Sequence, residues 1–271
     1  MKKTVFITGA SSGIGKATAK LFAQKGWNVA ATMRTPEKEN ELIKFENVKI
    51  FKLDVIDTKS IKTAINEAKR VFGDIDVVVN NAGYGLTGPF EASTMEQIDR
   101  QFQTNVFGLM NVTREILPHF RDKEDGVIIN VASMGGRITF PLYSLYHASK
   151  WAVEGFSESL QHELKPFNIK VKIIEPGPIR TDFYDRSMDV MRKEGLDAYD
   201  SYINKAMPNM NASGINGAPP EVVAKTIYKA AVSNNWKLRY PADLNAKLIL
   251  ILRGVLPDRL FNGLIRLIVL K

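Results

Sequence analysis

The stretch whose reading decides the fold is KKTVFITGASSGIGKATAKLFAQK, residues 2–25. An apolar, strand-like run breaks at Thr8-Gly9, a glycine-rich turn leads to Gly15, and a helix-like segment occupies 13–26. Glycines at such a turn let the backbone bend sharply and come close to a pyrophosphate, while the helix N-terminus offers free N–H groups and a positive dipole end. A glycine-rich turn alone is a weak signal. Its placement between a strand and a helix gives it weight.

The alternation continues along the chain. WNVAATM precedes a charged loop, VKIFKLD a helical segment at 58–72, and IDVVVN one at 93–120; GVIINVA precedes another at 144–164, and IKVKIIE a long loop. Apolar strands joined by long helical crossovers are βαβ units, so the pattern predicts an α/β fold. It is expected to be a Rossmann-type doubly wound parallel sheet of about seven strands, with helices on both faces. Lys165-Pro166 ends the helix at 144–164, because proline restricts the residue before it and cannot continue the hydrogen-bond ladder.

The chain has 271 residues, 45% of them hydrophobic and 24% charged, enough for a full core in a single domain. It has no cysteine and three histidines (His119, His147, His162), so disulfide frameworks are excluded and no metal is expected. The two N-terminal lysines resemble a signal peptide, but the apolar run after them is too short for one. No stretch reaches the length of a membrane span. A cytoplasmic protein is therefore expected, possible contact with a membrane periphery being left to the tail.

The net charge is +8, and residues 237–271 hold seven basic residues against two acidic ones. These cations alternate with leucine and isoleucine rather than with aromatics and glycines, which is unlike a nucleic-acid groove, so no nucleic acid partner is expected. The division read from the sequence is a catalytic domain at 1–240 and an apolar, basic helical extension at 241–271. Within the domain, 179–218 has a weak pattern rich in methionine, tyrosine and asparagine, and reads as a substrate lid or a partly helical excursion. The wide apolar arc of the tail must be covered by the protein's own core, by a subunit interface or by an acidic membrane surface.

YHASK, residues 146–150, places Tyr146 and Lys150 on one helix face. An ammonium about 4 Å from the phenol, at an effective dielectric near 20, would favour phenolate by roughly 4 kcal/mol and bring the tyrosine toward neutrality. That is where a proton donor or acceptor works best.

Taken together, TGxxxGxG ending at Gly15, Asp54-Val55, NNAG ending at Gly83, Asn105, Ser133, Tyr146 with Lys150, and Pro176-Gly177 with Thr181 resemble the single-domain branch of the short-chain dehydrogenase/reductases. The second-strand end and the lid resemble its steroid- and retinoid-type members and related bacterial enzymes. The resemblance implies that Tyr146 is the acid/base, that Lys150 lowers its pKa and binds the nicotinamide ribose, that Ser133 orients the substrate oxygen, and that Asn105 holds a water leading from the lysine to solvent. It implies cofactor binding by Gly9, Ser11, Ser12, Gly13, Ile14 and Gly15 at the turn. Asp54 and Val55, then Asn81, Ala82 and Gly83, would serve the adenosine side, and Pro176, Gly177, Ile179 and Thr181 the nicotinamide.

At the end of the second strand Met33 stands where an NAD-specific acid would be expected, and Arg34 follows. A guanidinium suits a 2′-phosphate, so NADP is expected, with NADPH preferred over NADH. Phe140, Leu142, Tyr143 and the lid methionines are expected to form an apolar pocket for a hydrophobic ketone, aldehyde or secondary alcohol, steroid- or retinoid-like. A homodimer or homotetramer is expected. The competing reading is a non-catalytic NADP(H)-binding sensor or scaffold, against which the presence of Ser133, Tyr146 and Lys150 together argues. A third reading is an isomerase or epimerase, since related sugar-nucleotide enzymes also use YxxxK, but these usually have a larger carboxyl-terminal substrate domain and a differently spaced glycine turn, and this sequence shows neither.

Overall fold

Seven strands lie side by side in parallel; the inner ones are apolar runs that take helices as cover on both faces, whereas the edge strand at 48–52 exposes Lys49 and Lys52. The computed structural model describes residues 2–181 and 188–270. In chain order it contains β1 (Thr4–Ile7), α1 (Gly13–Gln24), β2 (Asn28–Met33), β3 (Val48–Lys52), α2 (Thr58–Phe72), β4 (Val77–Asn80) and β5 (Gly85–Thr87). There follow α3 (Met95–Phe102), α4 (Gly108–Lys123), β6 (Gly126–Val131), α5 (Ser144–Leu164), β7 (Ile169–Glu175) and β8 (Met188–Val190). The chain then forms α6 (Asp200–Ile215), α7 (Pro220–Val232), β9 (Arg239–Pro241), α8 (Leu244–Val255) and α9 (Asp258–Val269).

The main sheet runs β3-β2-β1-β4-β6-β7-β9, all parallel. Val5 of β1 is in register with Val29 of β2 on one side and Val77 of β4 on the other. Strand order reverses between β1 and β4, and the carboxyl ends of those two strands bound the crevice where such sheets bind ligands.

One face is covered by α1 and α7, where Phe22, Trp27, Val223 and Ile227 share a cluster with Val5 and Val29. The other is covered by α2, α4 and α5, whose Ile61, Ile116 and Leu160 pack on Phe6, Val78 and Ile128. Lys172 lies fully buried in β7, yet its ammonium donates to the carbonyls of Ala230 and Ser233 at 2.7 and 2.6 Å. It thus satisfies carbonyls that the end of α7 leaves without a helical partner.

Three elements differ from the sequence reading. The helix expected over 93–120 is two helices, α3 and α4, joined by a π-helical turn at Gln103–Phe107 that contains Asn105. α3 starts from a capping box between Thr94 and Gln97. The long loop expected after the sixth apolar run is, in its described part, partly helical, in line with the second of the two readings given for 179–218: α6 occupies 16 residues with Pro208 inside, and β8 pairs in parallel with β5 as a small second sheet. The tail is two helices. α9 buries Phe261, Ile265 and Val269 in a cluster with Ile138 and with Ala206 of α6, and Asn209 Nδ2 donates to Val269 O at 2.9 Å. Among the described residues no helix is long and apolar enough to cross a membrane.

Candidate active site

The glycine turn is held from the end of β4. Asn81 Nδ2 donates to the carbonyls of Thr8 and Gly9, each at 3.0 Å, and Thr8 Oγ1 accepts from Asn81 N at 3.0 Å and Ala82 N at 3.1 Å. Gly9 has φ +67°, and a Cβ there would stand 2.9 Å from Ala82 Cα. A Cβ on Gly15 would stand 2.2 Å from Gly9 O, and one on Gly13 3.3 Å from Thr181. Ser12 is the N-cap of α1 but makes no side-chain cap bond, and the first turn carries no acidic residue. The cradle has bare backbone and an uncompensated helix N-terminus, so it fits a dinucleotide pyrophosphate.

From this turn a cleft of about 1150 Å³ extends along the carboxyl edge of the sheet. Gly9, Ser11, Ser12, Gly13, Ile14, Arg34, Asp54, Val55, Asn81, Ala82, Gly83, Ser133, Phe140, Tyr143, Tyr146, Lys150, Pro176, Gly177, Ile179 and Thr181 all border it. Gly15 and Asn105 stand behind that lining. Arg34 and Ser11 are exposed where β2 ends. The nearby acids turn elsewhere: Glu39 accepts from the backbone of Glu41 and Leu42 and pairs with Lys16, and Glu41 pairs with Lys16 and Lys20.

The chemistry-bearing side chains converge from three elements. Ser133 follows β6 and caps a short turn, its Oγ accepting from Gly135 N at 3.0 Å. Tyr146 rises from the first turns of α5 and hydrogen-bonds Ser133. Lys150, one turn on, donates to Val131 O at 3.0 Å, and its Nζ lies 5.8 Å from the Tyr146 ring centroid. The expected lowering of the tyrosine is reversed here. Burial pushes Tyr146 up to about 12, opposed by the Ser133 hydrogen bond, and burial pushes Lys150 down to about 8, opposed by the charge of Glu154. The cause is burial, which disfavours the charged form of each group, phenolate and ammonium alike.

Asn105 is buried in the π-helical turn and its side chain grips the backbone of Tyr84. Oδ1 accepts from Tyr84 N at 3.1 Å, while Nδ2 donates to Tyr84 O at 2.9 Å and Ser149 Oγ at 3.3 Å. A Cβ on Gly83 would lie 3.1 Å from Asn105 Oδ1 and 3.9 Å from Lys150 Nζ, so the bare glycine keeps open the space between them. Gly177 N donates to Asp243 Oδ2 at 2.6 Å, and the same carboxylate caps α8 at Ala246 N. Ile179 forms an isolated parallel bridge with Ala218.

The substrate half is walled by Phe140 and Tyr143 and by Met188, Met210, Leu248 and Ile268. Leu142 does not border the cleft as expected; it has φ +65° and packs in the cluster under α9. Of the lid methionines, Met188 and Met210 border the cleft, whereas Met191 is buried with Leu86 and Leu145 beneath β5.

Two contributors escaped the sequence reading. Asp243 ties the tail to Gly177, just past the end of β7. His147 is buried, with Nδ1 bonded to Gly135 O at 2.8 Å and Nε2 accepting from Phe140 N at 2.9 Å; burial pushes it down to about 4, so it is a neutral brace for the pocket loop. Tyr143 has a buried hydroxyl with no protein partner among the described residues, and burial pushes its pKa up. Tyr143 was expected in the pocket as part of an apolar wall, and it does border the cleft; its unpartnered hydroxyl was not anticipated.

A doubly wound sheet with this cradle at its switch point has the architecture of a dinucleotide-binding protein of the α/β class. Residues 3–191 match the family model described as short chain dehydrogenase, and the chain belongs to that family. The uncharacterized oxidoreductase YusZ of Bacillus subtilis is 38% identical over 275 residues, covering 98% of each chain. The 3-ketodihydrosphingosine reductase of Bacteroides thetaiotaomicron is 35% identical over 232 residues, covering 85% of this chain and 84% of its own. Among solved structures, ElxO with NADP bound superposes with a TM-score of 0.76 at 28% identity, over 92% of this chain and 100% of that one.

Proposed function

We propose that the protein is an NADP(H)-dependent oxidoreductase that interconverts a bulky hydrophobic ketone or aldehyde and its alcohol. The observation that carries this reading is the convergence of Ser133, Tyr146 and Lys150 on a cleft whose far wall is built from apolar side chains of α6, α8 and α9. Arg34 and Ser11, with no acid of β2 turned to the cleft, favour a cofactor that carries a 2′-phosphate. Among solved neighbours one has NADP bound and another NADH, so the cofactor choice rests on Arg34 and Ser11, while one relative is named a 3-ketodihydrosphingosine reductase, in keeping with a large apolar ketone.

Gly9, Gly13, Asp54, Ala82 and Thr181 would hold NADPH, which would supply a hydride to the carbonyl carbon. The residues of the chain manage the oxygen. Ser133 and Tyr146 hold it between two hydroxyls and so fix which carbon face is presented. Tyr146, kept protonated by burial, gives its proton to the oxygen as the alcohol forms. Lys150 stabilises the phenolate left behind and returns a proton, by way of the space beside Gly83 that Asn105 borders. Asn105 also holds Tyr84 at the rim. The Tyr143 hydroxyl, without a partner among the described residues, is a further donor for a polar group on the substrate.

The test is a 340 nm assay with NADPH and NADH over long-chain, steroidal, aromatic and small charged carbonyls, with Tyr146→Phe as control. The reading expects NADPH-linked turnover of the large apolar ketones, lost in Tyr146→Phe with cofactor binding retained. Turnover of small charged keto acids alone would overturn the substrate class. Cofactor binding without turnover of any carbonyl would favour a sensor.

A further inference from the structure

α8 wears its apolar face outward. Leu244, Leu248, Ile251, Leu252 and Val255 recur at i, i+4, i+7, i+8 and i+11, which is one side of a helix. They are 68, 52, 59, 39 and 74% exposed, while the opposite side buries Ala246 and Leu250. An ordinary surface helix has the reverse arrangement. On α9, Leu267 and Ile268 are likewise exposed, at 66 and 46%. Leu248, Leu252 and Ile268 are both exposed and part of the cleft lining, so the patch and the cleft mouth are one surface.

The charge around this patch is cationic. Lys247, Arg259 and Arg266 are exposed, and the single acid between positions 244 and 270, Asp258, is paired with Arg253. We propose that this face docks on an anionic lipid surface. The α8 stripe would sink into the boundary between headgroups and acyl chains, Lys247, Arg259 and Arg266 would meet the headgroups, and the cleft mouth would open toward the lipid. A second copy of the chain is the poorer occupant. Face-to-face docking would set the three cations against their equivalents and close both mouths. The proposal rests on the exposed stripe and the charge, not on the proposed reaction, and its test does not use turnover.

The probes are vesicles of phosphatidylglycerol with phosphatidylcholine, and vesicles of phosphatidylcholine alone, in a sedimentation assay at low and high salt. Truncating α9 would be uninformative because Phe261, Ile265 and Val269 are buried, so exposed residues outside the cleft lining are changed instead. The full chain is expected to pellet with anionic vesicles at low salt and to be released by high salt. Ile251→Asp with Val255→Asp should cut partitioning about a hundred-fold or more with melting temperature and NADPH binding unchanged. Arg259→Glu with Arg266→Glu should also reduce it. The proposal is overturned if the unmodified chain stays in solution with both vesicles, if it binds both equally, or if the aspartate pair pellets as well as the parent. A dimer in solution that the aspartate pair dissociates, with no vesicle binding by the parent, would assign the face to self-association.

Discussion

Gly15→Ala puts a methyl group where the structure leaves no room. The new Cβ would lie 2.2 Å from Gly9 O, 2.6 Å from Asn81 Nδ2 and 2.9 Å from Gly9 C. A relaxed C···O contact is about 3.3 Å or longer, so one side must retreat by about 1 Å. Two of these atoms are rigid backbone, and the third is the amide that clamps Thr8 O and Gly9 O. Overpacking of this kind costs about 1–3 kcal/mol. Weakening the Asn81 clamp adds about 1 kcal/mol, and the better helix propensity of alanine in α1 returns about the same. The net is about 1–3 kcal/mol, or roughly 2–12 °C in Tm for a chain near this size. Because the retreat displaces the pyrophosphate cradle, NADPH affinity should fall as well. Gly155→Ala is the control: it lies in α5 with nothing within 4 Å of a Cβ, so it should keep or raise Tm. Thermal unfolding by circular dichroism and fluorescence titration with NADPH read both effects. A Gly15→Ala protein with parental Tm and parental NADPH affinity would refute the steric argument.

Glu154 tests the buried charges behind Lys150. Burial and then the charge of Glu175 push it up to about 7, against the opposing pull of Arg239 and Arg137. Its folded value lies above the ordinary 4.5, so between those values the native state holds a proton that the unfolded chain releases. Its contribution to stability therefore falls as pH rises through that window. Glu154→Gln should gain on the parent as pH is raised from about 4.5 to 7, as read by denaturant melts; a constant difference would contradict the assignment. Phe261→Ala removes a ring that is 1% exposed at the α9–α6 contact. A loss of up to about 3–5 kcal/mol is expected there, appearing as earlier proteolysis of the tail and weaker binding of large ketones; a tail as protease-resistant as the parent's would count against it. Arg34→Asp should weaken NADPH binding about 10–100-fold and favour NADH, and unchanged affinity for both would remove Arg34 from the cofactor site.

Much of the fold was legible because its signals are local. The buried parallel strands read as apolar runs, and α2, α5 and β7 have the bounds their sequence patterns suggest. α6 was not legible: DSYINKAMPNMNASGI has little apolar periodicity and a proline, and the helix is held by Phe261 and Ile265 from a segment about fifty residues later. The π-helical turn at Asn105 was equally hidden, since its side chain is held by the backbone of Tyr84 rather than by its sequence neighbours.

By itself the sequence determined the α/β class, the glycine turn at the first strand and the pairing of Tyr146 with Lys150. Each depends on residues within a turn or two of one another, where backbone geometry and side-chain spacing act directly. Only the tertiary structure decided that Lys150 donates to Val131 O, that Asp243 joins the end of β7 to α8, and that α8 turns Leu244, Leu248 and Leu252 outward. Those outcomes follow from burial and from contacts between segments tens of residues apart, where desolvation and packing choose among side-chain arrangements that local pattern leaves equal.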